Sequence, residues 1–491
     1  MRASPAGGGR RALAACALTL ALLAPPAAAA EESAGRTVLD WDTGAGKSYL
    51  IPALEVPGFI FGLNQFNRHV LGGNDYDTDW DSIWRNLRTA PVFDTDPFSV
   101  NQIGHPYQGS IYYGLARSAG LNFWESFGYT LFGSFLWETA GETTLPSIND
   151  YVTTSVGGSF VGEAAFRMAS LLLEGGGETP GLWRELGAAL ISPSTAFNRL
   201  LFGERFKPVF PSRDPAIFIR LRLGATLTAD VSNANLSQNV KRQEGSADFY
   251  MTYGLPGKPG YQYTRPFDFF LFEFTGVPNA DSPQNLIENV TIRGLLAGTK
   301  YEVGDDYRGV WGLFGGYEYL SPQIFRIATT NLALGTVAQW WLTRTLALQG
   351  TALAGAGFGA AGTVGDKDER DYRYGVTPEV LLNLRLIASD LAMLEAAARQ
   401  YWVVGVGAGG SPLAERFGHE VINRASAALT VRVYGPHALS IGYTATTRDG
   451  HLAGAGADRH QSVQTVTLSY NFLGHTRFGA VEWRPSEMPA R

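Results

Sequence analysis

Four residues in the first half of the chain have the types and spacing for acid–base chemistry: His105, Glu138, Glu142 and Asp150. A carboxylate tuned by partial burial can act as general base toward water, with an imidazole as proton partner and an acid or amide to position it. The histidine lies in "NQIGHPYQGSIYYGLA", Asn101 to Ala116, and the acids in "WETAGETTLPSINDYVTTSVGGSFVGE", Trp137 to Glu163. Glu138 and Glu142 stand four apart, which puts like charges on one helical face. That spacing opposes a helix unless the pair shares a proton, meets a cation or faces water near a helix end. His105, between Gly104 and Pro106, falls at a helix start, where the dipole disfavours an imidazolium, so a neutral ring is expected. Asn101, Gln108, Tyr112 and Arg117 on the first stretch are the expected binding or network partners. Asn149, Thr154, Glu163 and Arg167 join them from the second.

The same residues have structural readings. Ser147 and Asp150 after Pro146 match a capping box. Glu163 and Arg167 are spaced as a helix-surface ion pair. Gly157 to Gly162 has the small-residue spacing that lets a second helix approach closely. On this view the set is a satisfied polar network that fixes helix packing. A serine hydrolase would need Ser126 or Ser147 beside His105, and neither sits in an elbow motif. "NDYDTDWD", Asn74 to Asp81, fails as an EF-hand because Trp80 and Asn86 stand where the turn glycine and the bidentate glutamate belong. It reads as a solvated acidic loop with Asp81 capping the next helix. Neither a metal nor a cofactor is expected.

The elements that position these residues are helical. Apolar spacing over 50–205 gives six or seven pieces, including "PGFIFGLNQFNRHVL" starting after Pro57, "DWDSIWRNLRT", "PYQGSIYYGLARSAG" and "PGLWRELGAALI". Near Pro211 the period changes to two. In "AIFIRLRLGATLTADV", Ile217, Ile219, Leu221, Leu223, Ala225 and Leu227 share one face and Arg220, Arg222, Thr226 and Thr228 the other. "ASAALTVRVY", "HALSIGYTAT" and "VQTVTLSYNF" alternate likewise, and "DLAMLEAAARQYW" keeps the parity despite good helix propensity. The segments are long enough to cross a bilayer obliquely. Aromatics crowd "AQWWL" and "RQYWVV" as in interfacial girdles, and short turns such as "VYGPHA" alternate with longer loops such as "TVGDKDERDYRYG". The expectation is an α+β multidomain chain: an all-helical domain over 31–210, then an antiparallel transmembrane β-barrel over 211–483 of about 12 strands, apolar outside and polar within. Residues 484–491 form a tail.

The first thirty residues place the protein. Arg2, Arg10 and Arg11, the apolar run Ala12 to Leu23 and "PPAAAA" make a secretory signal with cleavage near Ala30. "LAAC" before Ala17 resembles a lipoprotein box, but too few apolar residues separate Arg11 from Cys16. Losing three arginines takes the formal net charge of −6 three units lower, which excludes a nucleic-acid binder. Loss of Cys16, the only cysteine, leaves no thiol chemistry. No run of about 18 clean apolar residues marks a spanning helix. The expected location is the outer membrane, with the helical domain in the periplasm or the barrel lumen. Expected partners are outer-membrane lipids, the barrel-insertion machinery and an envelope-lipid ligand.

The blocks "HPYQG", "WE", "PSIND" and "GGSFVGE" resemble an uncharacterised family of Gram-negative envelope proteins, domain of unknown function 3943, over roughly 64–170. That resemblance implies a helical domain joined to a C-terminal β-rich region and brings no activity. The order His105, Glu138, Glu142, Asp150, Gly157, Gly162 is also similar to VanZ-like helical membrane domains. This second resemblance implies action on lipids or lipid-linked glycans.

Overall fold

The computed structural model describes residues 37–484 apart from 95, 178, 234–242, 279–285, 323, 365–368, 409–417 and 453–458. The export signal at 1–30, Cys16, part of the loop "TVGDKDERDYRYG" and nearly all of the 484–491 tail lie outside the described residues. The chain divides into two compact units, Met1–Ser212 and Arg213–Arg491.

The described part of the first unit carries seven helices: α1 Leu50–Phe66, α2 Trp80–Arg88, α3 His105–Ser118, α4 Phe123–Leu136, α5 Ile148–Glu174, α6 Leu182–Ile191 and α7 Pro193–Phe202. Helix α1 corrects the expected start after Pro57, because that proline lies inside it. Burial of Val56, Phe59, Ile60 and Leu63 against Ile111, Tyr112, Leu115 and Trp137 offsets the interior-proline penalty of about 3 kcal/mol. Asp79, not Asp81, caps α2: its carboxylate accepts the Ser82 amide at 2.8 Å. Helices α3 and α5 cross backbone to backbone. A Cβ on Gly109 would stand 1.8 Å from the Thr154 carbonyl oxygen, and one on Gly158 2.6 Å from the Gly109 Cα. The glycines of the second stretch therefore serve the close crossing expected of them.

The second unit is a closed antiparallel barrel. Its strands are β1 Ile217–Asn233, β2 Gln243–Tyr253, β3 Phe270–Gly276, β4 Ile287–Val303, β5 Tyr307–Leu320, β6 Phe325–Trp341, β7 Leu346–Thr363, β8 Tyr372–Ala388, β9 Ala392–Ala408, β10 Gly418–Tyr434, β11 His437–Leu452 and β12 Arg459–Leu473. Each pairs with its neighbours in sequence, and β1 closes on β12 from Arg220↔Leu473 to Asn233↔Gln461. Parity follows the sequence. Leu221, Leu223 and Leu227 on β1 and Leu468, Tyr470 and Phe472 on β12 are exposed, whereas Arg220 and Asn471 are buried. Strand β9 holds because both β8 and β10 pair along it, which overrides the helix propensity of its alanines.

The lumen is filled, and it departs from the expected uniformly polar interior. Its polar part is a set of arginine–carboxylate groups. Glu395 accepts from Arg220 at 2.5 Å and Arg222 at 3.3 Å. Glu318 is held by Arg293 and Arg399, with the Tyr401 hydroxyl donating at 2.6 Å. Glu420 is held by Arg373 and by Arg448 at 2.8 Å. One end is apolar: Phe218, Leu271, Trp341, Ile387 and Met393 pack with Phe478 and Val481 of the segment after β12. That segment is pinned by Gln339, whose amide donates to the Val481 carbonyl at 2.7 Å and accepts its N–H at 2.8 Å. Gln349 donates to the Gly479 carbonyl at 2.9 Å. Trp340 is exposed at the end of β6, as a girdle requires. Trp341 and Tyr401 turn inward instead, because each has a polar partner inside the lumen.

Candidate functional site

The first-half residues converge where the helices widen. Stretches Val100–Gly104, Trp137–Gly141 and Tyr151–Gly157 are π-helical, a form that is rare and gathers at functional sites. His105 follows the first, Glu138 lies in the second, and Asp150 precedes the third. His105 Nε2 is 3.5 Å from Asp150 Oδ1, and Thr154 Oγ1 is 3.2 Å from His105 Nδ1. Asn149 donates to Asp150 Oδ1 at 2.8 Å and accepts the Asp94 amide at 3.0 Å. The Ser147 amide donates to Glu138 Oε2 at 2.8 Å, while Glu138 Oε1 is buried without a hydrogen-bond partner. Ser147 Oγ accepts the Asp150 amide at 3.3 Å, which is half of the expected capping box. The other half is missing because the Asp150 carboxyl meets Asn149 and His105.

His105 is 6% exposed, and Glu138 and Asp150 are 1% exposed each. Burial drives all three toward their neutral forms. It lowers the His105 imidazole to about 4 against the opposing Asp94 carboxylate. It raises the Glu138 carboxyl to about 8, with Asp94 and Asp96 adding to the effect. Asp150 is raised by burial and then by Glu138. At neutral pH the cluster therefore holds a neutral imidazole and a protonated Glu138, with Asp150 shifted in the same direction. Glu138 carries a buried oxygen with no hydrogen-bond partner. Chemically it can hold or take one proton.

The remaining expected residues divide. Glu142 does not share a helical face with Glu138. The π turn ends at Gly141, and Glu142 is extended (φ −147°, ψ 161°) and half-buried, its carboxyl raised by burial and then by Glu138. Glu138 does not face water. His105 is not at a helix start either, because the π turn runs straight into α3. Asn101 is fully buried in that π turn. Gln108 donates to the Tyr112 hydroxyl, and Tyr112 packs edge-on against Phe59 in the apolar cluster. Arg117, Glu163 and Arg167 make a separate buried group, which overturns the surface ion pair. Glu163 accepts from Arg117 at 2.9 Å, Arg167 at 2.7 Å and the Tyr113 hydroxyl at 2.8 Å. Burial works to raise Glu163, and the two guanidiniums more than reverse it and hold its carboxyl low.

Sequence reasoning missed Asn86 and Asp94. The Asn86 amide ties together the carbonyls of Glu138, Glu142 and Thr144 at 3.3, 3.3 and 2.9 Å. An asparagine seven residues into an expected amphipathic helix gives no local signal of that role. It also missed Glu55 of α1, whose carboxyl burial raises to about 8. Among the described residues no group of three or more His, Cys, Asp or Glu is placed to hold a metal ion.

A pH test follows. Glu138 has a folded pKa above its unfolded value, so its contribution is fully present below about 4.5 and is lost as pH rises through 8. His105 is depressed, so its contribution is present above about 6.5 and is lost as pH falls toward 4. Between pH 6.5 and 8 only the carboxylate effect operates. The unfolding free energy of the full chain, from urea titrations followed by tryptophan fluorescence, is expected to fall across that window by about 1–2 kcal/mol. In Glu138→Gln the fall is reduced. A flat wild-type profile defeats this account.

The closed strand ring with leucines and aromatics outward defines a class: a transmembrane β-barrel of the outer-membrane kind, in which closure leaves no unpaired edge in lipid. Within the other unit, residues 90–194 match the family described as Domain of unknown function (DUF3943). That match lies within the helical unit and covers about a fifth of the chain. The match spans the His105, Glu138 and Asp150 cluster and runs beyond the expected 170 into α7. No curated protein matches the chain. Among solved structures it is similar to the NanC porin, at 9% identity over 51% of this chain and 98% of that one, with a TM-score of 0.25. The outer membrane channel DcaP of Acinetobacter baumannii matches at 6% identity over 52% and 96%, with a TM-score of 0.26. An outer membrane channel from Pseudomonas putida F1 matches at 12% identity over 54% and 100%, with a TM-score of 0.27. At such identities and TM-scores these likenesses say nothing of function.

Proposed function

We propose that this is an exported outer-membrane protein whose barrel anchors rather than conducts, and whose helical unit works on the periplasmic side as a scaffold for envelope lipid. The observation that carries the reading is the filled lumen. Arginine–carboxylate groups cross it, and the segment after β12 occupies one end. Two lumenal cavities, one lined by Thr226, Glu288 and Arg424 and one by Tyr250, Gln349 and Arg385, measure about 20 Å³ each, room for about one water. Short turns at Gly304–Asp306, Leu342–Thr345 and Gly435–Pro436 lie at the end where β1 begins. Short turns are periplasmic in such barrels, which supports a periplasmic helical unit. In planar lipid bilayers the purified protein is expected to give no stepwise conductance. Steady open-channel steps from the full chain defeat the anchor reading.

A second reading is favoured by one specific observation, the buried unpartnered Oε1 of Glu138, whose other oxygen takes the Ser147 amide next to the His105–Asp150 pair. Here Glu138 acts as general base in hydrolysis or transfer on an envelope lipid or lipid-linked glycan, with His105 as proton partner and Asp150 positioning it. Lipid profiles of outer membranes from wild type, a deletion and Glu138→Gln separate the two. A deletion phenotype fully rescued by Glu138→Gln removes catalysis by that carboxylate. A phenotype left unrescued by a folded Glu138→Gln protein favours it.

A further inference from the structure

Helices of a water-soluble unit turn apolar faces inward. Two helices of the first unit do the reverse. Inward, α4 presents Ser126, Thr130, Gly133 and Ser134, all buried. Outward it presents Trp124, Leu131, Phe132 and Phe135, all exposed. Helix α7 buries Ser194, Thr195, Asn198 and Arg199, whereas Leu200 is 87% exposed. Helix α6 adds an outward stripe at Leu182, Trp183, Leu186 and Leu190, with Trp183 at 83% and Leu190 at 86%. Helix α1 adds Leu50, Leu54 and Phe61. Small and polar residues inside with leucines and aromatics outside is the pattern by which helices associate in lipid, where apolar burial gives no driving force.

From this distribution we infer that the outer faces of α1, α4, α6 and α7 lie against a lipid bilayer, inserted into one leaflet rather than spanning it. Three observations select lipid as the occupant. The apolar surface is spread over four helices rather than concentrated in one groove that a peptide could fill. Trp124 on α4 and Trp183 on α6 are exposed on these faces, and tryptophan is the residue of membrane–water interfaces. The helical unit ends at Ser212 and β1 begins at Ile217, a connection of at most about 18 Å when extended. A bilayer is therefore within reach whenever the barrel is inserted. Helix length sets the depth: α4 has 14 residues, about 21 Å, short of a hydrocarbon core of about 30 Å. Helix α5 has the length and hydropathy to cross, but 72% of its apolar window is buried inside the unit, so it serves as the core of an interfacial body.

The inference rests on the membrane placement of the barrel, and the test reads the two separately. In a Cys16→Ala background, nitroxide labels go on Leu54→Cys, Phe132→Cys and Leu190→Cys of the full chain in phosphatidylethanolamine–phosphatidylglycerol vesicles. Leu468→Cys on β12 reports the barrel, and Glu204→Cys gives the water reference. Collision with oxygen is expected to exceed collision with a polar nickel chelate severalfold at the three helical sites, relative to Glu204→Cys. Nickel access equal to that reference overturns the inference while Leu468→Cys still reports lipid. Exclusion of both reagents also overturns it, because the face is then covered by protein, either a second copy or another part of this chain. A water-like reading at Leu468→Cys overturns the barrel placement and this inference with it.

Discussion

Glu163→Ala is expected to destabilise the helical unit by about 3–5 kcal/mol. The carboxylate is fully buried and lies between two buried guanidiniums, Arg117 and Arg167. Removing it takes away the carboxylate that the two guanidiniums share in a low-dielectric site. Aromatic faces do not compensate: Arg117 lies 4.6 Å from the Phe166 and Phe210 ring centroids and 5.5 Å from Trp41, contacts worth about 2 kcal/mol at most in a desolvated setting. The measurement is the urea midpoint of the full chain in detergent. A fall of less than 1 kcal/mol would show that the charges reach water and that the burial argument is wrong. The triple replacement Arg117→Met, Glu163→Leu, Arg167→Met separates charge from packing. It is expected to recover most of the loss, because exchanging a whole buried ion group for apolar residues is often neutral.

The barrel repeats the device, and Glu420→Ala is expected to lower its stability by a similar 3–5 kcal/mol. Glu420 accepts from Nε and Nη2 of Arg448, at 2.8 and 2.9 Å, and from Arg373. Arg448 also donates to Thr363 at 3.0 Å and Gln461 at 2.9 Å. Losing Glu420 therefore leaves Arg448 with neutral acceptors and removes the carboxylate that Arg373 and Arg448 share. The readout is the temperature at which the folded band disappears in unboiled gel electrophoresis. Arg373→Met in the Glu420→Ala background is expected to raise that temperature again. A Glu420→Ala barrel that melts with wild type would mean that the lumen is wetter than its burial indicates.

Strand positions were legible because each carries its own period. Leu221, Leu223 and Leu227 alternate with Arg220, Arg222 and Thr226 whatever the rest of the chain does, and β9 kept parity through its helix-forming alanines. The helical unit was legible where apolar spacing marks an inward face. It was illegible where the inward face is polar: α7 buries Ser194, Thr195, Asn198 and Arg199 and so sends no amphipathic signal. The site was half legible. Residue types and order gave His105, Glu138 and Asp150. The π turns left no trace in side-chain spacing, so Glu142 was placed on the wrong face. Glu163 and Arg167 announced a pair at four residues, but its third member, Arg117, lies 46 residues away. Only that partner turns a surface bridge into a buried group.

The interior ion groups have a consequence for how the barrel forms. Arg220 and Glu395 are 175 residues apart, and Arg399 and Glu273 are 126 apart. In a partly curled sheet Arg220 has Asp248 of the neighbouring strand in reach, but Glu395 on β9 is still distant. The long-range pairs form only when the sheet has curled far enough to bring β9 across from β1 and β3. Assembly is therefore concerted: intermediates with the seam ajar are disfavoured, and a substitution that frays Arg220↔Leu473 is expected to slow insertion more than it weakens the finished cylinder.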